Sequence, residues 1–202
     1  MTVIEDRIAM ADNADDIDSR PELTLDVMFE ALEKMPVPEG YKVEIVGGNI
    51  YMAPQRDIHW QIIRRIVRLL EDRFGMDVNV FSDVRIDFPG ELNGFAPDVA
   101  KLRDGAEKNP QGRWRYEDVE FVAEVISKKT ADNDYGPKRL TYALAEVPVY
   151  LIVDPYQGRC RLFTQPKSGD YTTETKIAFG DDVDLTDTVV GLTVETDAFP
   201  RD

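Results

Sequence analysis

The chain has 202 residues, 43% hydrophobic and 31% charged, and none of its apolar runs approaches the roughly 18 residues that span a bilayer, so a membrane-spanning protein is excluded. Its formal net charge of −15 speaks against a surface built for non-specific nucleic-acid binding, because Lys and Arg contacts to phosphate supply most of that affinity. The acids are concentrated at the ends, however. Residues 1–20 hold six acids and two bases and residues 180–202 seven acids and one base, which leaves a nearly balanced middle able to place a local basic strip beside a metal.

Residues 1–20 are polar and acidic without a sustained period and are expected to form a mobile N-terminal tail, with one domain over 21–202. The start lacks the basic and continuous apolar segments of a signal peptide, so a cytoplasmic location is expected. The single cysteine, Cys160, cannot form an internal disulfide and reads as a buried thiol.

In chain order, Thr24 can cap a helix whose Leu25, Met28, Phe29 and Leu32 repeat at helical spacing. YKVEIV and NIYMAP flank Gly47 and Gly48, a hairpin signal. DIHWQIIRRIVRLLEDRFG is the clearest helix, with Asp57 as its expected cap, a broad apolar face from Ile62 to Leu70, and Gly75 at its end. DVNVF, DVRIDF, PDVAKL and DVEFVAEVI then read as four strands of the main sheet. A helix is expected from about Gly136, with Pro137 tolerated in its first turn, followed by the all-apolar strand PVYLIVDP. GRCRLFT, YTTETKIAF and VVGLTVE complete the pattern as antiparallel extensions of that sheet.

Three acids interrupt apolar strands: Glu44 in YKVEIV, Asp98 in FAPDVAKL and Glu124 in FVAEVIS. Alternation puts Val122, Glu124 and Ile126 on one face, and a carboxylate buried there needs a metal or a cationic partner. A polar and cationic crossover, SKKTADNDYGPKRLTYA, leads from the Glu124 strand to the next one, and sites in open α/β sheets lie at the carboxyl ends of such strands. Lys138 falls on the first turn of the crossover helix four residues after Asp134, with Tyr142 one turn further on the same face.

The ordered string F-V-A-E-V-I-S-K-K-T-x-x-N-D-x-x-x-K-R-L-x-x-Y-x-x-x-x-V-P-x-Y-L-I-V-D-P, from Phe121 to Pro155, resembles the Uma-two family, as do Glu44 with Gly48, His59 and Pro97-Asp98. The resemblance spans roughly residues 24–195 and implies the PD-(D/E)XK restriction-endonuclease-like fold: α/β, with a central mixed β-sheet flanked by helices and additional antiparallel strands. It implies that Asp98 and Glu124 are metal-binding carboxylates, and that Lys138 replaces the lysine normally two residues after the glutamate, where this chain has Ile126. Lys128, which stands where the family usually has proline, is the other candidate for that lysine. Hard oxygen ligands favour Mg²⁺ or Mn²⁺, held by Asp98, Glu124 and a backbone carbonyl near Val125. Glu44 could bind a second metal or orient a water, His59 could act as general base or phosphate contact, and Arg64, Arg65 and Arg68 could guide a nucleic-acid backbone. The expected activity is metal-dependent hydrolysis of nucleic-acid phosphodiesters, DNA before RNA, by a homodimer. The competing reading is a catalytically silent nuclease-fold dimer serving as a binding or regulatory module. A carboxylate-based glycosidase is not singled out by the spacing.

Overall fold

The computed structural model describes residues 23–36 and 39–202; the expected acidic tail over 1–20 lies outside them. Helix α1 (Leu25–Glu33) begins as expected, with the Thr24 hydroxyl accepting from the Val27 N–H. Strands β1 (Tyr41–Val46) and β2 (Asn49–Pro54) form the hairpin, and its two-residue turn is made by Gly47 and Gly48 at φ 55° and 74°, which glycine adopts without a Cβ penalty. Helix α2 (Asp57–Phe74) ends at Gly75. Its cap differs from expectation: Arg56 holds that position without a side-chain bond, and Asp57 is the first helical residue, where its charge favours the positive end of the helix dipole.

Strands β3 (Val80–Phe81), β4 (Ile86–Phe88), β5 (Asn93–Phe95), β6 (Val99–Leu102) and β7 (Trp114–Arg115) follow, then a 3₁₀ turn at Tyr116–Asp118 and strand β8 (Val119–Val125). The crossover carries α3 (Ala131–Tyr135) and α4 (Pro137–Leu144), and the chain continues through β9 (Val149–Asp154), β10 (Arg159–Lys167), β11 (Asp170–Ala178), β12 (Val183–Asp184) and β13 (Thr193–Val194).

The main sheet is six-stranded and mixed, in the order β11-β10-β9-β8-β6-β3, with β8 and β9 parallel across the helical crossover and the other pairs antiparallel. Not all four expected strands enter it. DVRIDF supplies β4 to a second sheet, β2-β1-β5-β4-β7, and the final VVGLTVE strand pairs only with β12. In both cases the strand pairs with a neighbour in the chain, β4 with β5 and β13 with β12, instead of joining the main sheet, a choice of partner that strand propensity does not encode.

On one face of the main sheet Ile62, Ile63, Ile66 and Leu70 of α2 pack against Val99, Phe121, Ala123, Val125 and Leu151. On the other, Val122, Ile126, Tyr150 and Ile152 meet Tyr142 of α4 and Phe88 and Phe95 of the second sheet. Helix α1 closes the outer side of that second sheet, packing Met28 and Leu32 against Ile45 of β1. Gly94 permits this approach: a Cβ there would lie 2.6 Å from the Phe29 ring. Cys160 is buried as expected, and burial pushes its thiol up to about 12, far from a reactive thiolate. Among the described residues no helix is long and apolar enough to cross a membrane.

Candidate active site

Strand β8 alternates its side chains between the two faces, so Glu124 shares with Val122 and Ile126 the face covered by α4 and the second sheet. The antiparallel register Val99↔Ala123 sets Asp98, at the entry to β6, beside Glu124. Each carboxylate is clamped by the other strand's backbone: Val125 N–H donates to Asp98 Oδ2 at 2.7 Å and Asp98 N–H to Glu124 Oε2 at 3.3 Å. Glu44 reaches the same point from β1 and accepts from the Ala96 N–H at 2.9 Å. All three carboxylates are at least nine-tenths buried.

Two lysines neutralise this cluster. Lys138, 1% exposed, places its ammonium 2.6 Å from Glu124 Oε1, 3.1 Å from Glu44 Oε1 and 3.0 Å from Asp134 Oδ1. Its hydrogen bonds go to both Glu44 oxygens at 3.1 Å, with Glu124 and Asp134 as further ion-pair partners. Tyr142, one turn further along α4, donates its hydroxyl to Glu124 Oε1 at 2.7 Å. The second cation is Lys42, two residues before Glu44 and on the same face of β1. Its Nζ lies 2.7 Å from Asp98 Oδ1, 3.4 Å from Glu124 Oε2 and 3.8 Å from Glu44 Oε2.

The electrostatics follow from that crowding. Burial alone would raise the Glu124 carboxyl, but the Lys138 and Lys42 charges and the hydrogen bonds from Lys138 and Tyr142 outweigh it and hold the group at about 2. Asp134 goes the other way, to about 7, because burial and the neighbouring Glu124 and Glu44 charges exceed what a shared Lys138 returns. Burial lowers His59, with the Lys42 and Arg56 cations adding to the effect against the opposing pull of Asp98, so the imidazole is neutral at pH 7. His59 is 5% exposed, its Nε2 has no hydrogen-bond partner, and it lines the same cavity as the three carboxylates.

Glu44, Asp98, Glu124, Lys138 and His59 are therefore brought together at one cavity or its wall. Lys128 is not: its ammonium sits 4.4 Å from the centre of the Tyr156 ring. Ile126, at the usual lysine position, is 1% exposed within the apolar core. Of the three arginines expected to guide a backbone, Arg65 bonds the Gln61 carbonyl of its own helix, Arg68 pairs with Asp72 and Arg64 is exposed. Lys42 and Asp134 were not anticipated as members of the site. A signal for Lys42 did exist, since it is a charge two residues from Glu44 in an alternating strand and must share its face.

Among the described residues no three His, Cys, Asp or Glu side chains stand ready as a metal-binding group. The donor set nevertheless fits a hard divalent cation: three carboxylates converge on one positively charged position, with a neutral imidazole beside them.

No curated protein matches the sequence at a significant level. The fold matches the crystal structure of "a putative nuclease belonging to DUF820" from Anabaena variabilis ATCC 29413, with a TM-score of 0.66 and 14% identity, over 88% of this chain and 97% of that one. At that identity the likeness is one of fold, and together with the family match it identifies the architecture as restriction-endonuclease-like. The family model described as "Putative restriction endonuclease" matches residues 29–197, most of the chain, and the protein therefore belongs to that family, Uma2.

Proposed function

We propose that the protein is a divalent-metal-dependent endonuclease that hydrolyses phosphodiesters of nucleic acid, DNA in particular, with Asp98 and Glu124 as the metal ligands. The observation that carries this reading is the convergence of Glu44, Asp98 and Glu124 on a single cation position at the C-terminal end of β8. Bound there, Mg²⁺ or Mn²⁺ supplies a water of lowered pKa and polarises the phosphodiester. The chain's own residues do the rest. Backbone N–H groups of Val125 and Asp98 fix the two carboxylates that would hold the ion, and Asp98 Oδ1 and Glu124 Oε2 are the oxygens that face the position taken by the Lys42 ammonium. Lys138, paired with three carboxylates, holds Glu44 and Glu124 in place as a positioning residue. His59, neutral and with a free buried nitrogen at the cavity wall, is the group suited to accept a proton from the attacking water.

Plasmid nicking in Mg²⁺ or Mn²⁺, abolished by EDTA and by Asp98→Ala or Glu124→Ala in folded protein, is the expected result. Cleavage that survives both substitutions would overturn the assignment. A second reading, a silent dimeric module of the same fold, is favoured by one observation: Lys42 and Lys138 provide the carboxylates with cationic partners without a metal. Absence of cleavage together with a stable dimer in sedimentation would select it.

A further inference from the structure

The cluster holds two lysines in very different situations. Lys138 is 1% exposed, lies within 2.6–3.1 Å of three carboxylates and is anchored on a helix, so it is held in place on every side. The Lys42 side chain is 12% exposed and makes one short contact, 2.7 Å to Asp98, with the other two at 3.4 and 3.8 Å. It occupies the point where a cation would meet Glu44, Asp98 and Glu124 together. The remaining space at that point is about 20 Å³, room for about one water. A Mg²⁺ ion requires near-octahedral oxygens at about 2.0–2.1 Å and keeps several waters, more than a space for about one water provides beside the ammonium.

There is somewhere for that ammonium to go. The cavity wall next to Lys42 is formed by Ala53, Pro54 and Gln55, and Gln55 also borders an adjoining cavity of about 160 Å³ that contains Asp83. Asp83 already lies within electrostatic range of Lys42. The four-carbon stem of Lys42 is flexible, and Asp83 is the carboxylate on that side of the cavity wall.

We infer that Lys42 is a tethered, exchangeable cation that holds the three carboxylates together in the metal-free protein and leaves the site when a divalent ion binds. The inference rests on the metal-site reading above but not on cleavage. Loading the ion is then an exchange of one cation for another, so the charge of the buried cluster never stands uncompensated. Of the two lysines, only Lys42 is released from the cluster.

Two measurements test it. In the wild-type chain, amine-specific labelling mapped by mass spectrometry should find Lys42 protected without metal and reactive in saturating Mn²⁺, with Lys138 protected in both states. Titration of Mn²⁺ by calorimetry should give Lys42→Met, and the polar control Lys42→Gln, an affinity at least about tenfold above wild type, because the competing ammonium is gone. Unchanged labelling of Lys42 while Mn²⁺ binds, equal or weaker affinity in both variants, or no Mn²⁺ binding by any of the three proteins would overturn the exchange. Failure of the wild type to cut nucleic acid, with both results as expected, would remove the nuclease reading and leave the exchange standing.

Discussion

Replacing Lys138 by methionine tests how the cluster is held. The substitution keeps the length of the side chain and deletes a cation that lies 2.6 Å from Glu124, 3.1 Å from Glu44 and 3.0 Å from Asp134. Both Lys138 and Glu124 are 1% exposed, so water cannot take over the lost interaction. Removing one partner of such a buried pair typically costs ~3–5 kcal/mol, against total stabilities of ~5–15 kcal/mol for domains of this kind. With a urea slope of about 2–3 kcal/mol per molar, the unfolding midpoint should fall by about 1–2 M, read from the fluorescence of the two tryptophans. The loss must also depend on pH. In the wild type Glu124 is held at about 2, below its unfolded value, and therefore contributes stability above about pH 4.5 that is lost as pH falls toward 2. Without Lys138 most of that contribution is absent, so the gap between wild type and variant is largest at neutral pH and narrows below pH 4.5. A double variant with Glu124→Gln should lose less than the sum of the two single losses. A midpoint shift worth less than about 1 kcal/mol at pH 7, or a gap that widens in acid, would refute the claim that Lys138 organises the site.

Two further expectations concern the same cluster. Tyr142→Phe deletes a buried hydrogen bond to a charged carboxylate and should cost ~1.5–3 kcal/mol in urea unfolding, with the Glu124 carboxyl moving up from about 2 in a carboxyl NMR titration; no change in either would mean that the phenol contact is not held in solution. Asp134→Asn should gain on the wild type as pH rises. The raised Asp134 carboxyl makes the wild type lose stability between about pH 4 and about pH 7, a slope of up to ~1.4 kcal/mol per pH unit that an amide does not have, so a pH-independent difference between the two proteins would contradict the assignment.

The parts of the fold that were legible in the sequence are those with a local signature. Periodicity revealed α2, paired glycines the β1–β2 turn, and bounding prolines the buried strand β9. What escaped depended on the choice of pairing partner. Asn93–Phe95 carries no strand signature of its own and is a strand because β1 and β4 flank it, and DVRIDF looks like its neighbours yet pairs in the other sheet. Helix α3 is five residues long, with three polar residues between the Ala131 and Tyr135 that reach the core, too short and too polar to show a period. At the site, Asp98 and Glu124 stood out as charges in apolar strands, and Lys138 emerged through its place on the crossover. Lys42 was hidden because a lysine near a strand end is ordinarily solvated, and only the geometry shows it turned inward to three carboxylates.

The reciprocal clamp between β6 and β8 has a further consequence. Asp98 reads the amide of Val125 while Glu124 reads the amide of Asp98, so each carboxylate reports the alignment of the other's strand. A slip of one residue would turn Glu124 to the opposite face of the sheet and unmake both bonds at once. The only irregularity in this pairing, at Lys101 and Leu102, lies at the far end and leaves Val99↔Ala123 undisturbed. The acidic pair thus doubles as a checksum on sheet assembly: a chain misaligned by a single step forfeits its chemistry and, by burying uncompensated charge, also its stability.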